Sequence, residues 1–188
     1  MEKVALLIRK NALTFNDEKL HHENHYSLSR EFAIETILSN IDLSAPIVST
    51  TGKSSRELYE ICYKKNLNPN RAFLTVGSMG YASMIALGIV MNFKKRTYCL
   101  DGDGAVLMHM GSLATIGEIC PNNLVHILIN NSAHESVGGM KTTNTQIDFS
   151  HMASVCGYKK VFYADSEDSL IAALKDSENE SELCFIEV

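Results

Sequence analysis

The chain has 188 residues, enough for one domain with a sizeable core or for one domain with an extension. Hydrophobic residues make up 45% and charged residues 21% of the composition, which excludes a disordered chain. A net charge of −5 disfavours a general nucleic-acid-binding protein, although local N–H groups and a few cations can still bind an anionic ligand.

The first segment, residues 1–26, differs from the rest of the sequence. Residues 3–13, KVALLIRKNAL, predict a strand, and residues 14–25, TFNDEKLHHENH, predict a polar linker, with the histidines solvated rather than bound to zinc. We therefore assign 1–26 to a strand and linker that connect to an upstream domain or are a remnant of it, and 27–188 to the main domain. The apolar run before Arg9 is too short for a signal peptide or a membrane span, so we expect a soluble, cytoplasmic chain that binds no membrane. The five scattered cysteines, which form no CxxC pair, fit a reducing compartment.

From residue 27 onward, apolar strand-like runs alternate with stretches of helical periodicity. The predicted strands are 46–50, 72–76, 96–100, 124–130, 159–164 and 183–188, and the predicted helices are 27–40, 54–66, 79–93, 108–120, 148–157 and 166–177. This alternation predicts an α/β fold, a flavodoxin-like three-layer sandwich with a six-stranded, mostly parallel sheet. In such sheets ligands bind at the carboxyl ends of the strands.

Two polar groups follow neighbouring predicted strands. Asp103 lies between Gly102 and Gly104, which allow a loop to approach phosphate oxygens closely. A carboxylate directed at a diphosphate requires a cation, and Mg²⁺ is the natural choice. Asn130 and Asn131 end the next strand, so their amide oxygens lie at the same edge of a parallel sheet. A tight βα turn remains the alternative for the GDG segment on its own.

The GDG segment, the 25 residues after it and the Asn pair resemble the signature of thiamine diphosphate-dependent decarboxylases and synthases. The resemblance implies that Asp103, the Asn131 side chain and the Ala133 carbonyl hold Mg²⁺ against the diphosphate. It places Gly102, Gly104 and Ala105 around the same group.

Two further stretches resemble the same family. In VGSMGYASMIALG, residues 76–88, the resemblance implies that Gly77, Ser78 and Met79 lie beneath the cofactor, with Met79 supporting its bent conformation. In STTGKSSREL, residues 49–58, it implies that the diphosphate meets Thr51, Gly52, Lys53 and Ser54. The alternatives are a core methionine and an ordinary Ser/Thr helix cap.

Together these stretches and NNSAHESVGG, residues 130–139, resemble most closely the phosphonopyruvate decarboxylases, and next the sulfopyruvate decarboxylase β subunits. The implied reaction releases CO₂ from 3-phosphonopyruvate, a small anionic 2-oxo acid, and leaves phosphonoacetaldehyde. The alternatives are a sulfopyruvate decarboxylase β subunit and a non-catalytic flavodoxin-like module in which GDG and NN are only turns.

The resemblance covers only the diphosphate-binding, or PP, half of this family. The glutamate that activates the cofactor belongs to the family's second domain, called PYR, and no segment here matches it. We therefore expect a PYR domain as partner, in a longer chain or in a separate subunit of a homo- or hetero-oligomer, and an isolated chain without decarboxylase activity. His134 and Glu135 are candidate acid–base residues, with ordinary loop polarity as the alternative, and Lys53 and Lys141 are candidates for binding the phosphonate or sulfonate.

Overall fold

A parallel sheet forms the centre of the computed structural model, which describes Val4, Ala12 and residues 6–10, 26–143 and 146–188. Six strands pair in the order β2-β1-β3-β4-β8-β7, all of them parallel. Their bounds are Ile47–Ser49 (β1), Ala72–Leu74 (β2), Thr97–Gly102 (β3), Leu124–Ile129 (β4), Lys160–Tyr163 (β7) and Cys184–Glu187 (β8). A separate antiparallel hairpin pairs Ala133–His134 (β5) with Met140–Lys141 (β6).

Helices cover both faces of this sheet. One face carries α1 (Arg30–Asn40), α2 (Lys53–Lys64) and α7 (Glu167–Asn179). The other carries α3 (Ala82–Asn92), α4 (Asp103–Met108), α5 (Gly111–Ile119) and α6 (Phe149–Val155). Single 3₁₀ turns occupy Pro69–Arg71 and Glu135–Val137. The predicted α/β three-layer sandwich is thus confirmed, as is the six-stranded sheet.

Two apolar cores explain why the strand sequences are almost continuously hydrophobic. Successive side chains of a strand point to opposite faces, so Ile47 enters the α1–α2–α7 core and Val48 the α3–α6 core. Every residue of β4 is buried, because this central strand has helices on both sides. The helices contribute fully buried side chains such as Ile37 on one face and Leu113 on the other.

The carboxyl ends of the two central strands lie side by side. The register pairs Thr97 with Leu124 and ends with Gly102 opposite Ile129. The residues that follow, Asp103 on one strand and Asn130 on the other, therefore leave the sheet at the same edge, as the sequence predicts. We call this edge the carboxyl edge.

Several local predictions were wrong. No strand forms in the described part of 3–13, where Val4 and residues 6–9 have no regular structure and Leu7 is 96% exposed. An apolar run forms a strand only where a neighbouring strand pairs with its backbone, and the described residues provide none there. The predicted linker histidines lie outside the described residues. α1 begins at Arg30, after its cap Ser29, rather than at 27.

None of the helices in the described part of the chain has both the length and the apolar character needed to cross a lipid bilayer.

Candidate active site

A small cleft at the carboxyl edge brings most of the predicted site residues together. Its volume is about 70 Å³, and its walls come from the segments that follow β1, β3 and β4. The predicted residues that line it are Thr51, Lys53, Ser54, Met79, Gly102, Asp103, Gly104, Ala105, Asn131, Ala133, His134 and Glu135. Arg30, Thr50, Ile129 and Ser136 also line it, and the sequence did not single them out.

Four predicted residues fall outside this lining. Gly77 and Ser78 are exposed in the loop before α3. Gly52 lies just behind the wall, where a Cβ atom would come within 3.7 Å of Ser136. Lys141 is exposed on β6, away from the cleft.

The start of α2 presents backbone donors to the cleft. Gly52 precedes the helix with φ 100°, and no side chain among the described residues caps this end, so the proposed Ser/Thr cap is wrong. The Ser55 hydroxyl instead donates to the Thr50 carbonyl oxygen over 2.7 Å. Uncapped N–H groups at a helix start favour an anion. The buried Thr50 hydroxyl has no hydrogen-bond partner in the described structure, so a ligand in the cleft would satisfy it.

Asp103 is the buried carboxylate of the cleft. It is the first residue of α4 and only 3% exposed. The Thr142 hydroxyl donates to its Oδ2 over 2.5 Å. Burial raises the pKa of Asp103, and hydrogen bonds from Thr142 and from backbone N–H groups, with the nearby His134, offset this only in part. A carboxylate that is costly to ionise in a dry site is stabilised by a cation.

The two asparagines after β4 point to different places. Asn130 donates through Nδ2 to Glu187 Oε1 over 2.9 Å, towards β8. Asn131 lines the cleft, and its Oδ1 accepts the Ala133 N–H over 3.2 Å. Only the second amide is therefore placed beside Asp103.

His134 closes over the turn that carries Asp103. A Cβ atom on Gly104 would lie 2.6 Å from His134 Cε1 and 3.4 Å from Met79 Cε. Only glycine therefore lets the imidazole pack against the start of α4. Met79 lies before α3 and is only partly buried, so it does not belong to the core.

Glu135 is held by two cations. It accepts from Arg30 Nη1 over 2.7 Å and from Lys53 Nζ over 3.2 Å, and Arg30 also makes a bidentate pair with Glu57. Burial raises the pKa of Glu135, but Arg30 and Lys53 outweigh it, so the net shift is downward. Burial likewise lowers the pKa of Arg30, and the two glutamates outweigh it to leave a net rise. This arrangement suits an anchor for the loop after β5 rather than an acid–base group.

The same ion pair separates the cleft from a larger hollow of about 600 Å³. Arg30 and Glu135 line both spaces. The hollow lies between the start of α1 and the carboxyl ends of β4, β7 and β8, with Asn130, Tyr163 and Glu187 in its wall. Asp103, Thr51, Lys53 and Ser54 line the small cleft and not the hollow, whereas Asn131 lines both. The candidate site is therefore in the smaller of the two spaces.

Comparison with known proteins identifies related sequences and folds. Residues 51–188 match the family "Thiamine pyrophosphate enzyme, C-terminal TPP binding domain". Phosphonopyruvate decarboxylase from Streptomyces viridochromogenes is 41% identical over 146 residues, which cover 78% of this chain and 36% of that protein. Sulfopyruvate decarboxylase subunit beta from Methanocaldococcus jannaschii is 41% identical over 125 residues, which cover 66% of this chain and 64% of that protein. The chain thus spans about a third of the length of the first relative.

Among solved structures, benzoylformate decarboxylase from Polynucleobacter necessarius superposes with a TM-score of 0.69 at 15% identity, over 86% of this chain and 33% of that one. At this identity the similarity demonstrates the fold alone.

Proposed function

Because the chain belongs to the thiamine pyrophosphate enzymes through its C-terminal TPP-binding domain, we propose that it is the cofactor-binding half of a 2-oxo acid decarboxylase and holds thiamine diphosphate (the same compound) with Mg²⁺. The observation that carries the proposal is the buried Asp103 carboxylate, which lies in one cleft with Asn131 and Ala133 at the carboxyl edge.

The donor set fits a magnesium diphosphate. Mg²⁺ takes hard oxygen ligands in octahedral geometry and shares them with phosphate oxygens. Asp103, the Asn131 amide oxygen and the Ala133 carbonyl would supply three such oxygens. The amide oxygen has a second lone pair beside the one used by the Ala133 N–H.

The remaining predicted residues would surround the cofactor itself. Thr51, Gly52, Lys53 and Ser54 would meet the diphosphate at the uncapped start of α2, with Gly102, Gly104 and Ala105 on the opposite side. Gly77, Ser78 and Met79 would lie beneath its thiamine part. The Thr50 hydroxyl, which has no hydrogen-bond partner among the described residues, supports an occupied cleft.

When bound, thiamine diphosphate supplies an electron sink for the carbanion left by loss of CO₂. The residues of this chain bind and orient the cofactor, and His134 covers the site and limits the access of water to it. His134 is the better of the two acid–base candidates, because Glu135 is already paired with Arg30 and Lys53.

A second domain of the PYR type would complete the active site by supplying the activating glutamate. A relative of which the match covers only 36% and a relative described as a β subunit support this in two forms, a fused chain and a separate subunit. The assembly would be a homo-oligomer in the first case and a hetero-oligomer in the second. Five free cysteines support a cytoplasmic location.

The substrate we favour is 3-phosphonopyruvate, with sulfopyruvate as the alternative. Both are small 2-oxo acids with a second anionic group, and Lys53 is the half-exposed cation at the cleft that could meet it. A non-catalytic flavodoxin-like module is the third candidate, and it gives no reason for burying Asp103.

Ligand-linked stability tests cofactor binding. At a concentration about 100 times the dissociation constant, the ligand should stabilise the chain by about 2.7 kcal/mol. For a domain of this size that raises Tm by roughly 5–10 °C. Two control samples are needed. One contains thiamine diphosphate with EDTA, and the other contains Mg²⁺ without thiamine diphosphate. An unchanged Tm at millimolar concentrations of both ligands would favour the non-catalytic module.

Reconstitution tests the reaction. The chain with its PYR domain, fused or separate, should release CO₂ from phosphonopyruvate faster than from sulfopyruvate, and the chain without that domain should release none. The reverse preference would assign it to the sulfopyruvate enzymes. Failure with both acids would contradict both assignments.

A further inference from the structure

Behind the Asp103 turn, three polar side chains lie inside the core on the α3–α6 face of the sheet. His126 of β4 is 0% exposed, Asp101 of β3 is 1% exposed, and Tyr158, which precedes β7, is 3% exposed. None of them lines the cleft. Burial of polar groups is costly unless they pair with one another.

These side chains form a continuous row. The Tyr158 hydroxyl lies 2.9 Å from His126 Nδ1, and His126 Nε2 lies 3.4 Å from Asp101 Oδ2. Within the described structure this second contact falls short of a hydrogen bond, and neither Nε2 nor Oδ2 has a hydrogen-bond partner elsewhere. Asp101 Oδ1 accepts the N–H of Gly102, the residue that precedes Asp103 and caps α4. The row therefore runs from the segment before β7 to the turn of the candidate cofactor site.

The relay requires one tautomer of the imidazole. With its proton on Nε2, directed at Asp101, Nδ1 accepts from the Tyr158 hydroxyl, whose pKa burial raises well above its ordinary value. Phe185 contacts the imidazole edge-on, with ring centroids 5.2 Å apart, and holds its plane.

We propose that Tyr158, His126 and Asp101 form a buried relay that positions the turn carrying Asp103. Tyr158 and His126 are positioning residues, since they act through Asp101 and touch neither metal nor cofactor. The consequence for cofactor affinity rests on the proposed function, whereas the relay itself does not.

The alternative to a relay is a metal ion bound by Asp101, His126 and the neighbouring Cys99. Cys99 Sγ, one carboxylate oxygen of Asp101 and one ring nitrogen of His126 all lie within 4.8 Å of one another. Burial, however, raises the pKa of Cys99 well above its ordinary value, and a metal ligand has to be a thiolate. Structural zinc also takes four protein ligands, and this cluster of described residues has three.

A matched pair of tyrosines tests the relay. Tyr158→Phe removes only the hydroxyl that donates to His126. Tyr98→Phe removes a hydroxyl from an equally buried tyrosine of the other core, where it donates to Glu178. Residues behind metal ligands typically change metal affinity by 10–100-fold, so Tyr158→Phe should weaken Mg²⁺–thiamine diphosphate binding about tenfold or more while Tyr98→Phe leaves it unchanged. Equal affinities of the two variants in calorimetric titration would overturn the proposal.

Substitution of the imidazole adds a rescue. In His126→Gln, an amide can still donate to Asp101 and accept from Tyr158, whereas His126→Leu can do neither. The glutamine variant should therefore bind the cofactor more tightly than the leucine variant, and the opposite order would contradict the relay. A leucine variant that fails to fold, beside a glutamine variant that folds, would equally support it.

A measurement without cofactor separates this proposal from the proposed function. In ¹⁵N NMR of the cofactor-free chain, His126 should carry its proton on Nε2, and the Nδ1 resonance should move in Tyr158→Phe. A proton on Nδ1, or a full equivalent of zinc or another transition metal in the purified chain, would overturn the relay. If the ¹⁵N result is as expected and the wild-type chain does not bind the cofactor, only the proposed function fails.

Discussion

At the scale of single residues, Asp103 shows how folding and ligand binding oppose each other. Its folded pKa lies above the ordinary 3.8 because burial outweighs its hydrogen bonds. Ionised Asp103 therefore destabilises the cofactor-free fold. The free energy of unfolding falls as pH rises from 3.8 through the folded pKa, and the loss persists at higher pH. A cation in the cleft would remove the cost.

Asp103→Asn should therefore raise the urea midpoint of the cofactor-free chain at pH 7, and this gain should vanish at acidic pH, where the wild-type carboxyl is protonated. The same variant should lose the stabilisation by Mg²⁺–thiamine diphosphate. Asp176→Asn, at an exposed position of α7, is the control and should change neither value. A variant that keeps the full cofactor effect would contradict the metal-binding role of Asp103.

Individual residues also show which parts of the candidate site could be predicted from the sequence. Asp103 and Asn131 were found because glycines and a strand end mark them locally. Arg30 was missed because its partner Glu135 lies 105 positions away, and Thr142 because its partner Asp103 lies 39 positions away. Only the folded chain brings such partners together.

At the scale of elements, α5 and α6 meet without room for a side chain. A Cβ atom on Gly117 of α5 would lie 1.7 Å from the carbonyl oxygen of Cys156, directly after α6. The obstacle is backbone, which cannot rotate away. The two helices are therefore held at backbone contact by one glycine.

Gly117→Ala should lower stability by about 1–3 kcal/mol, the usual cost of forcing extra volume into a packed interior. Gly111→Ala on the same helix is the matched control, because its Cβ would meet no atom of the described residues within 4 Å. It should be neutral or slightly stabilising, since alanine favours helix. Thermal unfolding of both variants measures the difference, and equal Tm values would disprove the close packing.

The sequence predicted all six strands and most helices, because their apolar runs are long enough to show a period. The hairpin of β5 and β6 was missed, since each strand has two residues and no alternation is visible. The predicted helix 108–120 corresponds to α5, and the short helix α4, which begins at Asp103, was missed. The glycines that flank Asp103 disfavour helix by propensity, and packing overrides them.

At the scale of the whole molecule, the folding unit is larger than the stretch that matches the family. The match begins at residue 51, whereas α1 lies before it and buries Ile34, Ile37 and Leu38 to 1% exposure or less. These side chains fill the core on one face of the sheet. The stretch that matches the family therefore omits part of this core.

Removal of residues 1–43 should abolish cooperative unfolding. Each buried Ile or Leu contributes about 1.5–3 kcal/mol, against a total stability of about 5–15 kcal/mol. Thermal melts followed by circular dichroism would measure this. The full-length Phe32→Ala variant, altered at a side chain 40% exposed on α1, should melt almost as the wild type does. A truncated chain with an unchanged Tm would show that α1 is dispensable.

The order of the strands is what local patterns could not predict. The alternation of strands and helices indicates a parallel sheet, but nothing in the β8 sequence says that it lies between β4 and β7. That placement depends on which neighbours cover both of its faces.

The position of β8 has a consequence for the timing of synthesis. β4 and β7 are made before β8, yet β8 must pair with both of them. While the chain emerges from the ribosome, these two strands expose unpaired edges that can associate with other chains. The nascent chain therefore cannot complete its sheet until residues 184–187 have been translated and released, so the interval before that moment is when it most needs a chaperone.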